Sequence, residues 1–470
     1  MRTKYAIAVS SLLILASAAV SAQQFKTGFF LDNYQYGYRI NPAITPEKSH
    51  LGILLTNISA APSSSIGVSD ILFPKADGSL MTGFNGAVPS STFLSGLCQG
   101  SMLGADVSEN ILAVGIRKNR SFGSFEVNAR AIADVSLPYD MFAMLKNGTS
   151  DEAYDLSGLG ADAKVYLEVA YGKAFIINDK FTVGARLKAL FGLGSIGFDA
   201  GNAKANLQDG LIGMEANASV RMSSKYLSYS TLEGTDIFDP ESIEFNAAFY
   251  GPTGYGAALD LGLTFKPFKG LTLSAAVQDL GAVHWDYNMV ALSEASANFK
   301  GVDDLDLMGE GASSISDELE AQLESLGGLA DFHVQNGPQA GWESLPFSAN
   351  AGARYSFAKD ILSVGALASM RHTEYLTSYD LRGGLTIRPL KWFSLAGTVG
   401  TGTYGNSCGA GISINVLTFN FHAGVDGYLG KTGKFMLDSP VAGFDAIPVP
   451  LGKFDCRLNL GLTLTFGERH

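Results

Sequence analysis

The sequence has few charged residues and few cysteines, and both shortages narrow the class of protein. Charged residues make up 17% of the 470 positions, against about 25% in a typical soluble chain. The three cysteines are too few for a disulfide framework, although Cys408 and Cys456 could pair in an oxidising compartment. No cysteine–histidine cluster has metal-ligand spacing, so we expect neither a metal nor a cofactor.

Long hydrophobic runs are missing beyond the first 22 residues. A membrane helix needs about 20 consecutive apolar residues, and no later stretch approaches that length. Residues 1–22 combine basic Arg2 and Lys4 with an apolar run and a small residue at Ala22, a pattern typical of a secretory signal peptide. We therefore expect a secreted β protein, which could cross a membrane only as a closed barrel.

A basic surface and catalytic motifs are missing too. The formal net charge of −12 argues against nucleic acid as a partner, because that binding depends on basic residues. The histidines form no HExxH motif, and no GxSxG or Walker motif occurs. His422 shares a predicted strand face with Asn420 and Asp426, as in barrel hydrolases, but no nucleophile motif accompanies it. We expect that the protein is not an enzyme.

The sequence does contain a repeated alternation of apolar and polar residues. In 457–466, even positions are leucine or phenylalanine and odd positions are mostly polar. The same period of two covers about eleven residues in 125–135, 181–191, 212–222 and 347–357. Soluble strands average about 5–6 residues, whereas membrane barrel strands need about 9–11. The pattern predicts an all-β, antiparallel transmembrane barrel.

The connections between these stretches are sorted by length. Short turn-forming links occur at 117–122, 177–180, 267–270, 358–360 and 389–392. Longer polar segments lie at 136–163, 192–210, 282–346 and 429–455. Short turns at one end and long loops at the other are typical of outer-membrane barrels. We count fourteen to sixteen strand candidates: 50–58, 110–117, 124–135, 164–176, 181–191, 211–222, 242–250, 256–266, 271–281, 347–357, 361–373, 379–388, 393–403, 409–415, 417–427 and 456–466.

Two segments do not resemble barrel wall. Residues 23–49 are aromatic and polar, and we expect them either to enter the lumen as a plug or to lie in the periplasm. The barrel should then occupy 50–470, with a long acidic loop inserted at 284–346. Part of this loop, 314–327, has the capping residues and apolar stripe of a short helix. It is either a solvated surface loop or a lid that docks a partner; no EF-hand spacing supports calcium there.

The polar strand faces carry arginines that we expect to face the lumen. They are Arg130, Arg186, Arg354, Arg382 and Arg457. Two readings stay open, a selectivity ladder along a pore and ion pairs that cross the lumen and hold the wall together. Glycine-rich strand segments such as 397–405 would let strands curve or let side chains cross the lumen.

Residues 36–45, YGYRINPAIT, contain the sequence Asn41-Pro42-Ala43. This resembles the NPA motif near the N-terminus of FadL-like outer-membrane transporters. Together with VSLPYDMF at 135–142, the segment is similar to an uncharacterised Bacteroidota family of barrels in the same superfamily. The resemblance implies a fourteen-stranded barrel with an N-terminal lumen segment and a plug motif at Asn41, Pro42 and Ala43. In FadL-like transporters, hydrophobic substrates bind an extracellular groove and leave sideways through a kinked strand.

These observations lead to two functional hypotheses for a barrel in the cell outer membrane, surrounded by its lipid. The first is a passive uptake channel for small hydrophobic molecules, working without chemistry or energy input. The second is a structural or secretion-accessory barrel that binds a protein partner through its extracellular loops, as in a related subgroup of the resembled superfamily.

Overall fold

The computed structural model describes residues 25–467 except 55, 76–79, 98–99, 149, 151, 209–210, 216, 247–250, 294–330 and 442–443. Its main feature is an antiparallel barrel of fourteen wall strands. The first, β1, has two parts, Ser49–Ile53 and Ile58–Ser64. The others are β2 (Gly100–Lys118), β3 (Ser121–Pro138), β4 (Gly160–Ile176), β5 (Phe181–Asp199), β6 (Gly254–Phe265), β7 (Leu271–Tyr287), β8 (Phe347–Phe357), β9 (Leu362–His372), β10 (Thr377–Leu390), β11 (Phe393–Gly402), β12 (Gly405–Val416), β13 (Phe419–Tyr428) and β14 (Arg457–Phe466).

The wall closes because the last strand pairs with the first. Each strand pairs with the next one along the chain, and β14 also pairs with β1. Leu51 of β1 is opposite Leu464 on one side and Val114 on the other. Further along β1, Ile58 is opposite Leu460 and Glu109. A closed wall pairs its strands on both sides, which is the condition for spanning a membrane with β-structure.

Side-chain alternation explains why these sequences form a wall with two different faces. In β14 the even residues Leu458, Leu460, Leu462, Leu464 and Phe466 are exposed on the outer surface. The odd residues Arg457, Asn459, Thr463 and Thr465 are at most 2% exposed because they point into the filled lumen. Successive strand side chains point to opposite faces, so one sequence pattern supplies both the apolar exterior and the polar interior.

Aromatic pairs mark the two edges of the apolar exterior. Phe181 stacks on Phe265 with ring centroids 4.5 Å apart, and Phe191 packs against Tyr255 at 6.1 Å. Along β5, Phe191 lies ten residues after Phe181. At about 3.3 Å per residue and a tilt of about 40°, they span roughly 25 Å along the barrel axis, the height of a membrane barrel's apolar band. The predicted transmembrane barrel fold is confirmed.

The two ends of the barrel differ as predicted. At one end, which we call the turn end, short links join consecutive strands: 119–120, 177–180, 266–270, 358–361, 391–392 and 417–418. Most of the long connections lie at the opposite, loop end, where helices α1 (Val68–Ile71), α2 (Ser90–Ser95) and α3 (Tyr139–Asn147) occur. The three helices and the adjoining loop residues form what we call the loop-end cap, and its apolar core includes Phe93 and Phe142. None of the helices in the described residues is long and apolar enough to cross a membrane.

Short loop strands accompany the wall. They are Leu72–Pro74, Leu80–Thr82, Tyr154–Asp155, Lys204–Gln208, Leu211–Glu215, Ala218–Ser224, Leu227–Thr231, Phe238–Phe245, Met289–Ser293, His333–Val334, Gln339–Ser344, Thr432–Val441, Phe444–Pro450 and Phe454–Asp455. Gln339–Ser344 pairs with the end of β7 and so extends the wall beyond the barrel rim.

Two strand candidates are not wall strands. The candidate at 211–222 splits into Leu211–Glu215, which pairs with Lys204–Gln208, and Ala218–Ser224, which pairs with the end of β5. The candidate at 242–250 overlaps Phe238–Phe245, which forms a hairpin with Leu227–Thr231. An alternating pattern shows only that one face of a strand is covered. A strand of a small sheet at the loop end has such a face, just as a strand of the barrel wall has. The wall therefore has fourteen strands, the lower limit of the predicted range.

The cysteine pair that the sequence left open is not formed. Cys408 and Cys456 are both free. Cys408 lies opposite Gly427 of β13, and Cys456 directly precedes Arg457, which lies opposite Asp426 on the other edge of that strand. Two strand spacings of about 4.8 Å separate them, beyond the Cα distance of about 4.4–6.8 Å that a disulfide allows. The predicted signal peptide and the predicted helix at 314–327 lie outside the described residues.

Candidate functional site: the plugged lumen

Residues 25–47, here called the plug, lie inside the barrel. They form two short 3-10 turns, Lys26–Phe29 and Gly37–Arg39, joined by irregular backbone. Dense aromatic content gives the plug an apolar core of its own in an otherwise polar lumen. Its buried aromatic residues, each at most 9% exposed, are Phe25, Phe29, Phe30, Tyr34, Tyr36 and Tyr38. In this structure the segment lies in the lumen, which is the first of the two alternatives that the sequence left open.

Glycines in the wall make room for the plug. A Cβ at Gly184 would overlap the backbone of Pro42, and one at Gly384 would lie 2.5 Å from the Phe30 ring. The other wall glycines whose added Cβ would meet plug atoms are Gly262, Gly352, Gly365, Gly409, Gly411 and Gly424. These glycines face inward. A glycine at a strand position where the alternation calls for a polar, inward-facing residue is therefore the sequence signal for contact with the plug.

The Asn41-Pro42-Ala43 motif attaches the plug to the wall. The Asn41 side-chain amide donates to the carbonyl oxygens of Leu263 (3.1 Å) and Ala275 (3.2 Å), on β6 and β7. Its side-chain oxygen accepts the Ala43 N–H at 2.8 Å, which holds the turn. These contacts explain why the motif occurs where the plug meets the wall.

The first residues of the plug are anchored by Asp426 of β13. Its Oδ2 accepts the backbone N–H groups of Lys26 (2.9 Å) and Thr27 (3.3 Å), and Arg382 pairs with the same carboxylate. The Lys26 Nζ lies 3.5 Å from Asp380 Oδ1. Because charge-assisted hydrogen bonds are stronger than neutral ones, this cluster fixes where the plug begins.

A second charged cluster lies beside the middle of the plug. Arg186 contacts Glu126 and donates from Nη1 to Asp260 Oδ2 at 3.0 Å. Glu126 also accepts the Tyr38 hydroxyl and Arg39 Nε, both at 2.9 Å. Wall and plug therefore share one buried ion network, and removing a member would leave an uncompensated charge.

All five predicted arginines point into the lumen, where each contacts a carboxylate. Arg130 and Arg186 belong to the middle cluster, Arg130 through Asp279 at 3.2 Å. Arg382 and Arg457 belong to the cluster at the plug's start, with Asp380 and Asp455 among their partners. Arg354 lies at the turn end, 2.6 Å from Asp32 of the plug. Such pairing is what the cross-lumen hypothesis expects, while a selectivity role stays a prediction.

The polar face of β13 also holds the plug. His422 Nε2 is 3.0 Å from Asn57 Oδ1, and its ring packs against Tyr34 at a centroid distance of 5.0 Å. Asn420 donates to the Asn33 carbonyl oxygen at 3.1 Å. His422, Asn420 and Asp426, whose shared strand face raised the question of catalysis, thus all contact the plug or the wall. Among the described residues, no group of three or more His, Cys, Asp and Glu could hold a metal ion.

The plug leaves separate cavities. A central cavity of about 80 Å³ lies between plug and wall, with Ile40, Arg130 and Gln278 in its lining. A turn-end chamber of about 500 Å³ lies against the plug and the strand ends near the short turns. An outer groove of about 590 Å³ runs across the exterior of β6–β9 and is lined largely by small apolar residues such as Ala275 and Ala351.

The wall is irregular between the central cavity and the outer groove. The β6–β7 register shifts at Asp260, and Asp279 has a φ of 61°. On its other edge β7 pairs with β8 up to Gln278 and with Gln339–Ser344 from Ala282 onwards. We call residues 278–281 the β7 bulge. A non-glycine residue in the left-handed region together with a register shift marks a built-in kink, which the alternation could not reveal.

Comparison with known proteins gives one family and several structures. The chain is similar to the CymD monoaromatic hydrocarbon channel (11% identity, TM-score 0.42, covering 94% of this chain and 95% of that chain). It is also similar to the toluene transporter TbuX of Ralstonia pickettii (10%, 0.44, 96% and 97%) and to a FadL homologue of Pseudomonas aeruginosa (13%, 0.43, 93% and 95%). No curated protein matches the sequence. The profile of a family of unknown function (DUF5723) matches residues 42–426, most of the chain, and the chain belongs to that family.

Proposed function

We propose that this chain is an outer-membrane barrel for passive uptake of small hydrophobic molecules. Its apolar exterior, bounded by aromatic residues about 25 Å apart, supports a membrane location. The plug closes the direct route along the lumen, because wall and plug atoms meet on several strands. A molecule that enters from the loop end therefore needs an exit through the side of the wall.

The β7 bulge is the observation on which this proposal depends. Gln278 lines the central cavity, and the preceding residue, Val277, lines the outer groove. Gln278 donates to the Ile40 carbonyl of the plug, and its Oε1 accepts from Asn350 Nδ2 at 3.1 Å. A small shift of the plug would therefore act directly on the bulge. The wall's ladder hydrogen bonds are interrupted here, so opening costs less than elsewhere.

The outer groove suits an apolar molecule that leaves sideways. Alanine is the most frequent residue of its lining, whereas much of the exterior carries leucine and phenylalanine. The groove opens on the outer, apolar face of the wall. Apolar ligands gain about 25 cal/mol per Å² of surface removed from water, so a groove continuous with lipid lets them leave without crossing water. This favours hydrophobic over polar substrates.

Uptake of the apolar dye N-phenyl-1-naphthylamine by cells carrying the barrel tests the proposal. We expect faster uptake than in cells without it, and a return to background with Ala351→Trp, which fills the groove. Ala353→Trp, on the same face of β8 but outside the groove, is the matched control. Equal uptake with and without the barrel, or equal effects of the two tryptophans, would contradict a lateral route.

The filled lumen also supports the second hypothesis, an accessory barrel that binds a protein partner. The central cavity of about 80 Å³ is well below the roughly 300–1,000 Å³ of a small-molecule site. A barrel of this kind would show no dye uptake and would copurify with a stable partner that dissociates when the loop-end cap is altered.

A further inference from the structure

We infer that the outer surface of β3 and β4, next to the turn end, binds the phosphate headgroup of an anionic membrane lipid through Lys173. Among the outward-facing residues of β3, β4 and β5, all of which the structure describes, Lys173 is the only charged one. A lysine on the lipid face of a barrel is costly near the middle of the bilayer and is tolerated near its surface. The inference rests on the barrel lying in a lipid bilayer and does not depend on uptake through the wall.

The position of Lys173 along β4 brings its charge near the bilayer surface. Lys173 is three residues before the end of the strand at Ile176, which is about 8 Å along the barrel axis at about 3.3 Å per residue and a tilt of about 40°. Its Nζ is 5.8 Å from the centre of the Phe175 ring, which lies two residues closer to the turn end. The side chain therefore points from the apolar band toward the headgroup region, as long basic side chains do at a membrane interface.

The wall around Lys173 forms a shallow depression. Lys173 lies opposite Gly123 of β3 on one edge and opposite Ala185 of β5 on the other. A Cβ at Gly123 would lie 3.7 Å from the Lys173 Nζ, so the ammonium group lies over a position without a side chain. In the next row toward the middle of the membrane, the exposed side chains are large, namely Phe125, Tyr171 and Leu187. This arrangement matches an amphiphile whose charged head lies at the turn end and whose chains run along the wall.

The other charged residues on this part of the outer surface are mostly basic. At the adjacent end of β2 and in the two neighbouring links, the exposed ones are Lys118, Arg120, Asp179 and Lys180. Asp179 is 3.4 Å from Arg120 and offsets its charge. No carboxylate of the described residues forms an ion pair with Lys118 or Lys173. The surface is therefore positive and complements an anion.

The geometry of the two lysines specifies the ligand class. Lys118 is opposite Ser121 of β3, which is opposite Phe175 of β4. Two strand spacings and two residues therefore separate the Lys118 and Lys173 backbones, about 12 Å in all, so both ammonium groups can reach one headgroup above Gly123. Lysine binds phosphate as a point charge, and phosphate is the anion that a phospholipid bilayer presents at this depth. A headgroup with a net negative charge should bind more tightly than a zwitterionic one.

Native mass spectrometry of the folded protein in a neutral detergent tests this inference with two lipids that share the same acyl chains. Phosphatidylglycerol has a net negative charge, and phosphatidylcholine is zwitterionic. We expect phosphatidylglycerol to bind about fivefold or more tightly than phosphatidylcholine, and inorganic phosphate not to displace it, because the chains also contact the wall. Equal binding of the two lipids, binding of neither, or displacement by inorganic phosphate would overturn the inference without mutagenesis.

Variants locate the site. Lys173→Gln should weaken phosphatidylglycerol binding about fivefold, the factor that corresponds to about 1 kcal/mol for one lysine near an anionic surface, and Lys173→Arg should retain most of it. Lys118→Gln should weaken binding as well. Lys359→Gln is the matched control: it makes the same change in net charge at an exposed position in the 358–361 link, and it should alter binding less than twofold. Unchanged binding in Lys173→Gln, or equal losses in Lys173→Gln and Lys359→Gln, would refute the assignment. Dye uptake fails or succeeds independently of these results.

Discussion

The contact between Gly384 and Phe30 offers a direct test of how the plug is held. Ala at position 384 would place its Cβ 2.5, 2.7 and 2.8 Å from three atoms of the Phe30 ring. That ring is 1% exposed and packs edge-on against Phe29 at 5.1 Å. Its backbone is fixed as well, because the Phe30 carbonyl accepts the Thr386 hydroxyl at 2.6 Å. The ring cannot move aside without displacing the plug.

The neighbouring residue Gly383 supplies a matched control. An added Cβ there meets no atom within 4 Å, because position 383 faces outward. Gly→Ala within a strand otherwise stabilises by roughly 0.5–1 kcal/mol through backbone entropy, and both substitutions share this gain. Their difference therefore isolates the overpacking cost, about 1–3 kcal/mol. We expect Gly384→Ala to be less stable than Gly383→Ala by that amount.

Two measurements check the expectation. Urea unfolding of the protein folded into phospholipid vesicles compares the free energies of unfolding of the two variants. Trypsin cleavage after Arg39, a plug residue with a mostly buried side chain, reports whether the plug leaves while the barrel stays folded. We expect faster cleavage in Gly384→Ala only. Equal stability and equal cleavage in both variants would show that the plug is not wedged against β10, and the reasoning would fail.

Three further predictions follow from buried contacts. Glu126→Gln should destabilise the folded protein by about 3–5 kcal/mol, because it leaves Arg186 with too little negative charge, whereas Asp179→Asn in an exposed pair should cost less than about 1 kcal/mol; urea midpoints compare them. Asp426→Asn should speed tryptic cleavage after Lys26, since the anchor for the plug's start weakens; unchanged cleavage would argue against that anchor. Phe93→Ala should expose the loop-end cap to protease at a local cost of about 3–5 kcal/mol while the barrel stays intact; simultaneous barrel unfolding would contradict a separate cap.

Several results could be predicted from local patterns. The strand of 347–357 has the predicted bounds, and 393–402 and 457–466 differ by one residue. Arg186 and Arg354 were expected inside because they occupy the polar positions of alternating strands. Candidates 211–222 and 242–250 show the limit of that reasoning, since alternation requires one covered face and does not say which sheet covers it.

The sequence alone determined most of the wall strands, the alternation of their two faces and the sorting of short turns to one end. These properties follow from neighbouring residues, because a strand's side chains point alternately to its two faces. Only the tertiary structure decided that Gly384 packs against Phe30 and that Glu126 joins Arg186 to Tyr38. The partners lie far apart in the sequence: 60 positions separate Glu126 from Arg186, 88 separate it from Tyr38, and 356 separate Phe30 from Thr386, which also holds it. These contacts depend on the register of a closed wall and on the path of the plug, which no local pattern encodes.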